Sequence, residues 1–142
     1  MDALTGVKTR AVFDDALPAF YQNFQQGKAF SLAVVDIDYL KRVNDSFGHA
    51  RGDQIIKAAA ECITPMLQAS EVLVRYGGDE FVVFLARSHR ASQHFLQHFL
   101  QHANALVLTG NPPLQLCLSI GLASASEVMT RSDLAPGAET VP

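Results

Sequence analysis

The chain has 142 residues, 49% of them apolar and 18% charged, with a formal net charge of −3. That length suits one domain with a real core, and the weak acidity argues against a general affinity for nucleic acid or an anionic membrane surface. A phosphorylated ligand would need a metal ion or a local basic pocket. The cysteines, Cys62 and Cys117, stand in apolar surroundings and are expected as buried thiols of a reducing compartment, which points to a cytoplasmic location. No run of about 18 apolar residues exists, so no transmembrane helix is expected. The opening MDALTGVKTR is polar and lacks a signal-peptide core.

In chain order, residues 10–26 place Phe13, Leu17, Phe20 and Phe24 at helical spacing, with Pro18 expected to kink or split the helix and Gly27 to stop it. AFSLAVVD (29–36) is a largely apolar run with β-branched Val34 and Val35, the pattern of a buried strand ending in Asp36. Residues 37–49 form a short helix with Leu40, Val43 and Phe47 on one side, closed by Gly48. Residues 51–67 form a second helix on Ile55, Ala59, Cys62, Ile63 and Met66, with Pro65 out of place near its end. Two short strands, 71–76 and 80–86, flank Gly77-Gly78, a tight-hairpin signal. A helix from about 91 to 107 turns Phe95, Leu96, Phe99, Leu100, Ala103 and Leu106 inward, NPP (111–113) is a loop, and LQLCLSIG (114–121) alternates as a strand. Residues 124–142 have poor periodicity and are expected to form an irregular tail after one domain over 1–123. The fold class expected is α/β, an α+β sandwich in which a sheet containing antiparallel strands is flanked by helices.

The acids carry the chemistry. Asp36 and Asp38 lie where a buried strand gives way to a helix, a frequent place for ligand sites. Asp79 and Glu80 follow the glycine turn, and a hairpin lying beside the first strand would bring all four together. Clustered carboxylates repel and call for a cation. Hard oxygen ligands select Mg2+ or Mn2+, and Mg2+ also takes substrate phosphates. The plain alternative is that DID caps the next helix and GGDE is a solvated turn.

Four separated motifs over residues 2–123 resemble the GGDEF-domain diguanylate cyclases. RYGGDEF (75–81) resembles the signature, and DALTGVKTR (2–10) the family's opening, with Val7 and Thr9 as variants. DIDYLKRVNDSFGHARGD (36–53) resembles the long central motif, with Leu40 where Phe is usual. LSIGLA (118–123) resembles the S-I-G-V-A strand. The resemblance implies a mixed, largely antiparallel sheet of the nucleotidyl-cyclase and polymerase-palm kind. It also implies condensation of two GTP to cyclic di-GMP, with release of two pyrophosphates, at the interface of a homodimer. Asp36, Asp79 and Glu80 would ligate Mg2+ (or Mn2+) with help from the Ile37 carbonyl, and Asp79 or Glu80 would assist deprotonation of the 3′-hydroxyl. Asn44 and Asp53 would read guanine, as Asp53 can accept from its N1–H and amino group. The backbone of Tyr39 and Leu40, at a helix start, would meet phosphates, Lys41 would add charge, and Gly77 and Gly78 would leave room for nucleotide.

Departures from the pattern set further expectations. The family's R-x-x-D product-inhibition site is replaced by Gln68-Ala-Ser-Glu71, so no feedback inhibition is expected there. The family's closing helix, whose Lys and Arg hold the triphosphate, finds no clear counterpart in SASEVMTRSDLAPGAETVP (124–142), where SDLA (132–135) resembles only its approach. The last lysine is Lys57 and the last arginine Arg131, so a weakened triphosphate clamp is expected. The alternative function is a non-catalytic GTP- or partner-binding module of cyclic di-GMP signalling. The first motif begins at Asp2, and the resemblance implies control by an upstream sensor or receiver domain outside these residues. Finally, His94, His98 and His102 recur at four-residue spacing in QHFLQHFLQH. A pair at that spacing suits a transition metal, but the plainer reading is a solvated face opposite the Phe/Leu stripe.

Overall fold

The computed structural model describes residues 1–124 and 139–140, with the backbone alone for Ser124, Glu139 and Thr140. Its central strand, β2 (Ser31–Ile37), pairs antiparallel with β4 (Glu80–Leu85) on one side and β7 (Leu118–Ser124) on the other. β3 (Val72–Arg75) pairs antiparallel with β4, and β1 (Lys8–Thr9) runs parallel to β3 at the edge. β8 (Glu139–Thr140) pairs antiparallel with β7, giving the order β1-β3-β4-β2-β7-β8. The sheet is therefore mixed and largely antiparallel, with helices on both faces, as the α+β expectation requires.

The apolar runs are continuous because both faces of the sheet are covered. On one face Leu32, Val74, Val82 and Phe84 meet Phe13 and Phe20 of α1 (Arg10–Gln25), where Phe20 stacks on Phe84 with ring centroids 4.7 Å apart. On the other face Ala33, Val35, Ile37, Phe81, Val83 and Leu85 meet three helices, α2 (Leu40–Phe47), α3 (His49–Ile63) and α4 (His89–Asn104). Burying side chains of this size contributes about 1.5–3 kcal/mol each. α1 ends as expected at Gly27 (φ +85): the Gly27 N–H bonds the Phe24 carbonyl and the Lys28 N–H the Asn23 carbonyl, a Schellman closure.

Several local expectations are corrected. α1 runs unbroken through Pro18, which faces solvent on the side away from the sheet. Pro65 is not an oddity, because α3 ends at Ile63 and Pro65 sits in the first turn of a short 3-10 helix, Thr64–Met66, where its missing N–H costs nothing. Phe47, the last residue of α2, is exposed. Leu106 is exposed because α4 stops at Asn104 and the chain enters a small hairpin of β5 (Val107–Leu108) and β6 (Leu114–Gln115). The expected strand 114–121 is thus two strands, broken at Leu116-Cys117. Cys62 and Cys117 are half-buried free thiols. The glycine hairpin is wider than a two-residue turn: Arg75 pairs with Phe81, the N–H groups of Tyr76 and Gly77 both bond the Glu80 carbonyl, and neither glycine takes a positive φ. In the expected tail, Glu139–Thr140 line the sheet edge, while SDLA (132–135) and the rest of 125–138 lie outside the described residues. Among the described residues no helix is long and apolar enough to cross a membrane.

Candidate active site

The sheet brings the acids of two distant segments together. Asp36, near the end of β2, lies opposite Glu80 of β4 and Ser119 of β7. The Ile37 N–H bonds the Asp79 carbonyl at 2.8 Å and the Asp38 N–H the Cys117 carbonyl at 2.9 Å, so the end of β2 is held from both sides. The Ser119 hydroxyl donates to the Asp38 carboxylate at 2.8 Å. Strand alternation puts Asp36 and Glu80 on the α1 face, in line with Leu32, Val82 and Phe84.

This crowding is electrostatically costly. Burial pushes the Asp36 carboxyl above its ordinary range, the charges of Asp79 and Asp38 push it further, and a hydrogen bond with Glu80 offsets part of the rise. Glu80 is raised by burial first, then by the charge of Asp36, the hydrogen bond between them and the charge of Asp79, with Arg10 pulling the other way. Each group therefore gives up its proton less readily than a free carboxyl does. Among the described residues no three His, Cys, Asp or Glu side chains are arranged around one metal position. The donor set is nonetheless all hard oxygen, and the raised pair is the behaviour of carboxylates lacking their counter-ion.

Beyond the hairpin, between it and α2 and α3, lies an open cleft of ≈ 370 Å³. Leu40, Lys41, Asn44, Asp53, Gly78 and Asp79 line it, so six of the sequence-derived site residues meet there. Arg75, Asp45, His49 and Ile56 complete the lining. Asn44 Oδ1 is buried and has no partner within the protein, an unsatisfied acceptor of the kind a ligand fills. Gly52 makes that position available, since a Cβ there would overlap the Asn44 side chain. α2 begins at Tyr39, whose φ of +64 is left-handed, and no side chain caps the helix start. Its first N–H groups and the positive end of its dipole thus remain for an anion.

The sequence profile described as "Diguanylate cyclase, GGDEF domain" matches residues 1–139. The chain belongs to the GGDEF family of diguanylate cyclases. It is 30% identical over 131 residues to the probable diguanylate cyclase DgcC of Escherichia coli K12, covering 91% of this chain and 35% of that protein. It is 38% identical over 102 residues to the cyclic di-GMP phosphodiesterase NbdA of Pseudomonas aeruginosa, covering 68% of this chain and 13% of that one. It therefore spans about a third or less of the length of these relatives. In solved structures, the GGDEF domain of DgcB from Caulobacter crescentus in complex with c-di-GMP superposes with a TM-score of 0.82 at 29% identity, covering 94% of this chain and 82% of that one.

Within this GGDEF domain the predicted residues divide into two neighbouring clusters. Asp36 and Glu80 form the acidic pair, Asn44 and Asp53 belong to the cleft, and Gly78 and Asp79 join the two. Tyr39 is 65% exposed and is not part of the cleft lining, its ring instead lying 5.8 Å from the Arg42 guanidinium. The Ile37 side chain belongs to the core, which leaves only its carbonyl to serve a ligand.

Three participants escaped the sequence reading. Arg75 lines the cleft and bonds both the Asp2 carboxylate and the Gly78 carbonyl. Arg10 lies 4.4 Å from the Tyr76 ring centre and within electrostatic reach of Glu80. Ser119 orients Asp38. All three stand inside quoted motifs, but only the pairing of strands shows what they touch.

Proposed function

We propose that this domain binds GTP and, as a homodimer with one GTP per half-site, condenses two GTP to cyclic di-GMP and two pyrophosphates. The observation that carries the reading is the Asp36–Glu80 pair, driven above its ordinary pKa range beside a cleft with an unsatisfied buried acceptor. In this reading Asn44 and Asp53 bond the guanine edge, and the start of α2, with Tyr39, Leu40 and Lys41, bonds phosphate oxygens. Arg75 lines the same cleft, its guanidinium held by the Asp2 carboxylate and the Gly78 carbonyl. A Cβ at Gly78 would meet nothing within 4 Å and one at Gly77 only Glu80 at 3.8 Å, so the fold itself does not demand glycine there. The nucleotide does.

Asp36, Asp79, Glu80 and the Ile37 carbonyl would hold Mg2+ or Mn2+. A bound divalent ion supplies charge neutralisation at the α-phosphate and a lowered pKa for the attacking hydroxyl. The 3′-oxygen of each GTP attacks the α-phosphorus of the other, its proton passing to Asp79 or Glu80 of that half-site, and each attack breaks one P–O bond to release one pyrophosphate, two in all. The protein contributes mostly alignment of the two nucleotides. In this reading a sensor or receiver domain outside residues 1–142 sets the dimer.

A second reading, a GTP-binding module without catalysis, is favoured by one observation: residues 124–142 offer no lysine and only Arg131 where the family's closing helix supplies the triphosphate clamp. The decisive assay is conversion of radiolabelled GTP with Mg2+ by the wild type and by Asp79→Ala. Product from the wild type alone supports the cyclase. Equal product from both, or none from either while GTP still binds, defeats it.

A further inference from the structure

The function proposed above leaves one cluster unused, the histidines of α4. His94, His98 and His102 are all exposed, while Ser92, Phe95, Leu96, Phe99 and Ala103 of the same helix are buried. Residues four apart on a helix advance by about 40° in angle and about 6 Å along the axis. Two imidazoles so placed can close on one metal ion, as in helical His-x-x-x-His metal sites. Three in a row, spanning about 12 Å, cannot all reach the same ion. They form two overlapping pairs that share His98, in keeping with the lack of any three-ligand cluster among the described residues.

We infer that His98 and His102 form a bidentate site for a borderline transition-metal ion such as Zn2+, Ni2+ or Cu2+, with His94–His98 as a weaker alternative. Two observations favour the second pair over the first. Arg90, also exposed, stands one turn before His94 and repels a cation there, but is three turns from His102. His102 lies in the last turn of α4, where the negative end of the helix dipole attracts a cation. Imidazole ligands select these metals over Mg2+, which keeps this site chemically separate from the acidic pair. Water fills the remaining coordination positions.

The test is calorimetric titration of the untagged chain with Zn2+ in excess Mg2+, with Cu2+ electron paramagnetic resonance counting nitrogen ligands. The side chains are exposed, so His→Gln variants keep the fold. One Zn2+ per chain is expected. Affinity should fall by about tenfold or more in His98→Gln, which removes both pairs. It should fall less in His102→Gln, which leaves the pair beside Arg90, and least in His94→Gln. Two nitrogens should be resolved on Cu2+ in the wild type and one in His98→Gln. Equal losses from all three substitutions, no loss in His98→Gln, or displacement of Zn2+ by Mg2+ would each overturn the assignment.

Discussion

Arg75 reaches Asp2, 73 residues earlier in the chain: its Nη1 donates to the Asp2 carboxylate at 3.1 Å and its Nη2 to the Gly78 carbonyl at 3.0 Å. One guanidinium therefore ties the N-terminal turn to the signature hairpin. Asp2 is itself held by the Thr5 N–H at 2.9 Å and the Thr5 hydroxyl at 2.7 Å. Burial raises its pKa, but the bonds from Thr5 and Arg75 outweigh that and lower it.

Arg75→Lys is expected to lose the fork and cost about 1–2 kcal/mol, since an ammonium cannot serve both partners in one geometry. GTP binding should weaken as the hairpin loosens. Because Asp2 is lowered in the fold, its contribution is present above the unfolded pKa and lost as pH falls. The stability gap between wild type and variant should accordingly narrow in acid. Denaturant melts across pH, with GTP titration at neutral pH, check both.

Gly78→Ala separates a structural need from a ligand need. The added methyl meets open space, so the melting temperature should stay within about 0.5 kcal/mol equivalent of wild type. GTP affinity or turnover should drop by tenfold or more if nucleotide passes that backbone, a loss worth about 1.4 kcal/mol. A variant that binds and turns over GTP normally would show that nucleotide does not approach Gly78.

Gly52→Ala should act differently. Its Cβ would collide with Asn44 and crowd Leu40 at 3.3 Å, so both stability and guanine binding are expected to suffer. Destabilisation by about 1–3 kcal/mol, with weakened GTP affinity in the folded fraction, is the expected result.

The acidic pair predicts a pH signature. Asp36 and Glu80 are raised in the fold, so the fold binds their protons more tightly than the unfolded chain does. Their contribution to metal-free stability is fully present below the unfolded values and is lost as pH rises through the raised ones. Glu80→Gln should remove much of that loss and be the more stable form near neutral pH without divalent ions. Mg2+ should stabilise the wild type more than the variant. Thermal melts from about pH 4 to 8, with and without Mg2+, make the comparison.

Glu71 bears on product control. Its Oε1 accepts from the Gln68 N–H and Arg87 Nη2, and its Oε2 from the Ala86 N–H and Arg87 Nε, all at 2.8–3.0 Å. Its side chain is fully buried, and Arg87 also lies 3.9 Å from the Phe95 ring centre. The carboxylate is thus committed inward, and cyclic di-GMP is expected not to bind at Gln68–Glu71. Calorimetry showing tight binding lost in Gln68→Ala would contradict this. Arg87→Ala should cost about 3–5 kcal/mol by leaving Glu71 buried and unpaired.

Much of the fold is visible in local pattern. β2 and β4 are apolar on successive residues because both faces are covered, and the stripes Phe13/Phe20 and Ile55/Ala59/Ile63 mark the helix faces that cover them. What misled was end effects and context. Pro18 survives mid-helix because it faces solvent, and Leu106 looks like the next core position only until α4 stops two residues earlier. Helix ends depend on capping and on what the next segment packs against, and neither is written in the apolar period.

The sequence alone determined the chemistry available: the carboxylates Asp36, Asp79 and Glu80 are hard oxygen donors by residue type, and the roles expected of Asn44 and Asp53 come from the resemblance of their motif to the GGDEF family. The tertiary structure decided the partnerships. Antiparallel pairing of β2 with β4 sets Asp36 against Glu80 and raises both, and the parallel β1–β3 edge delivers Asp2 to Arg75. Electrostatic coupling and hydrogen bonding act over a few ångströms, and only folding brings residue 2 to residue 75 and residue 36 to residue 80.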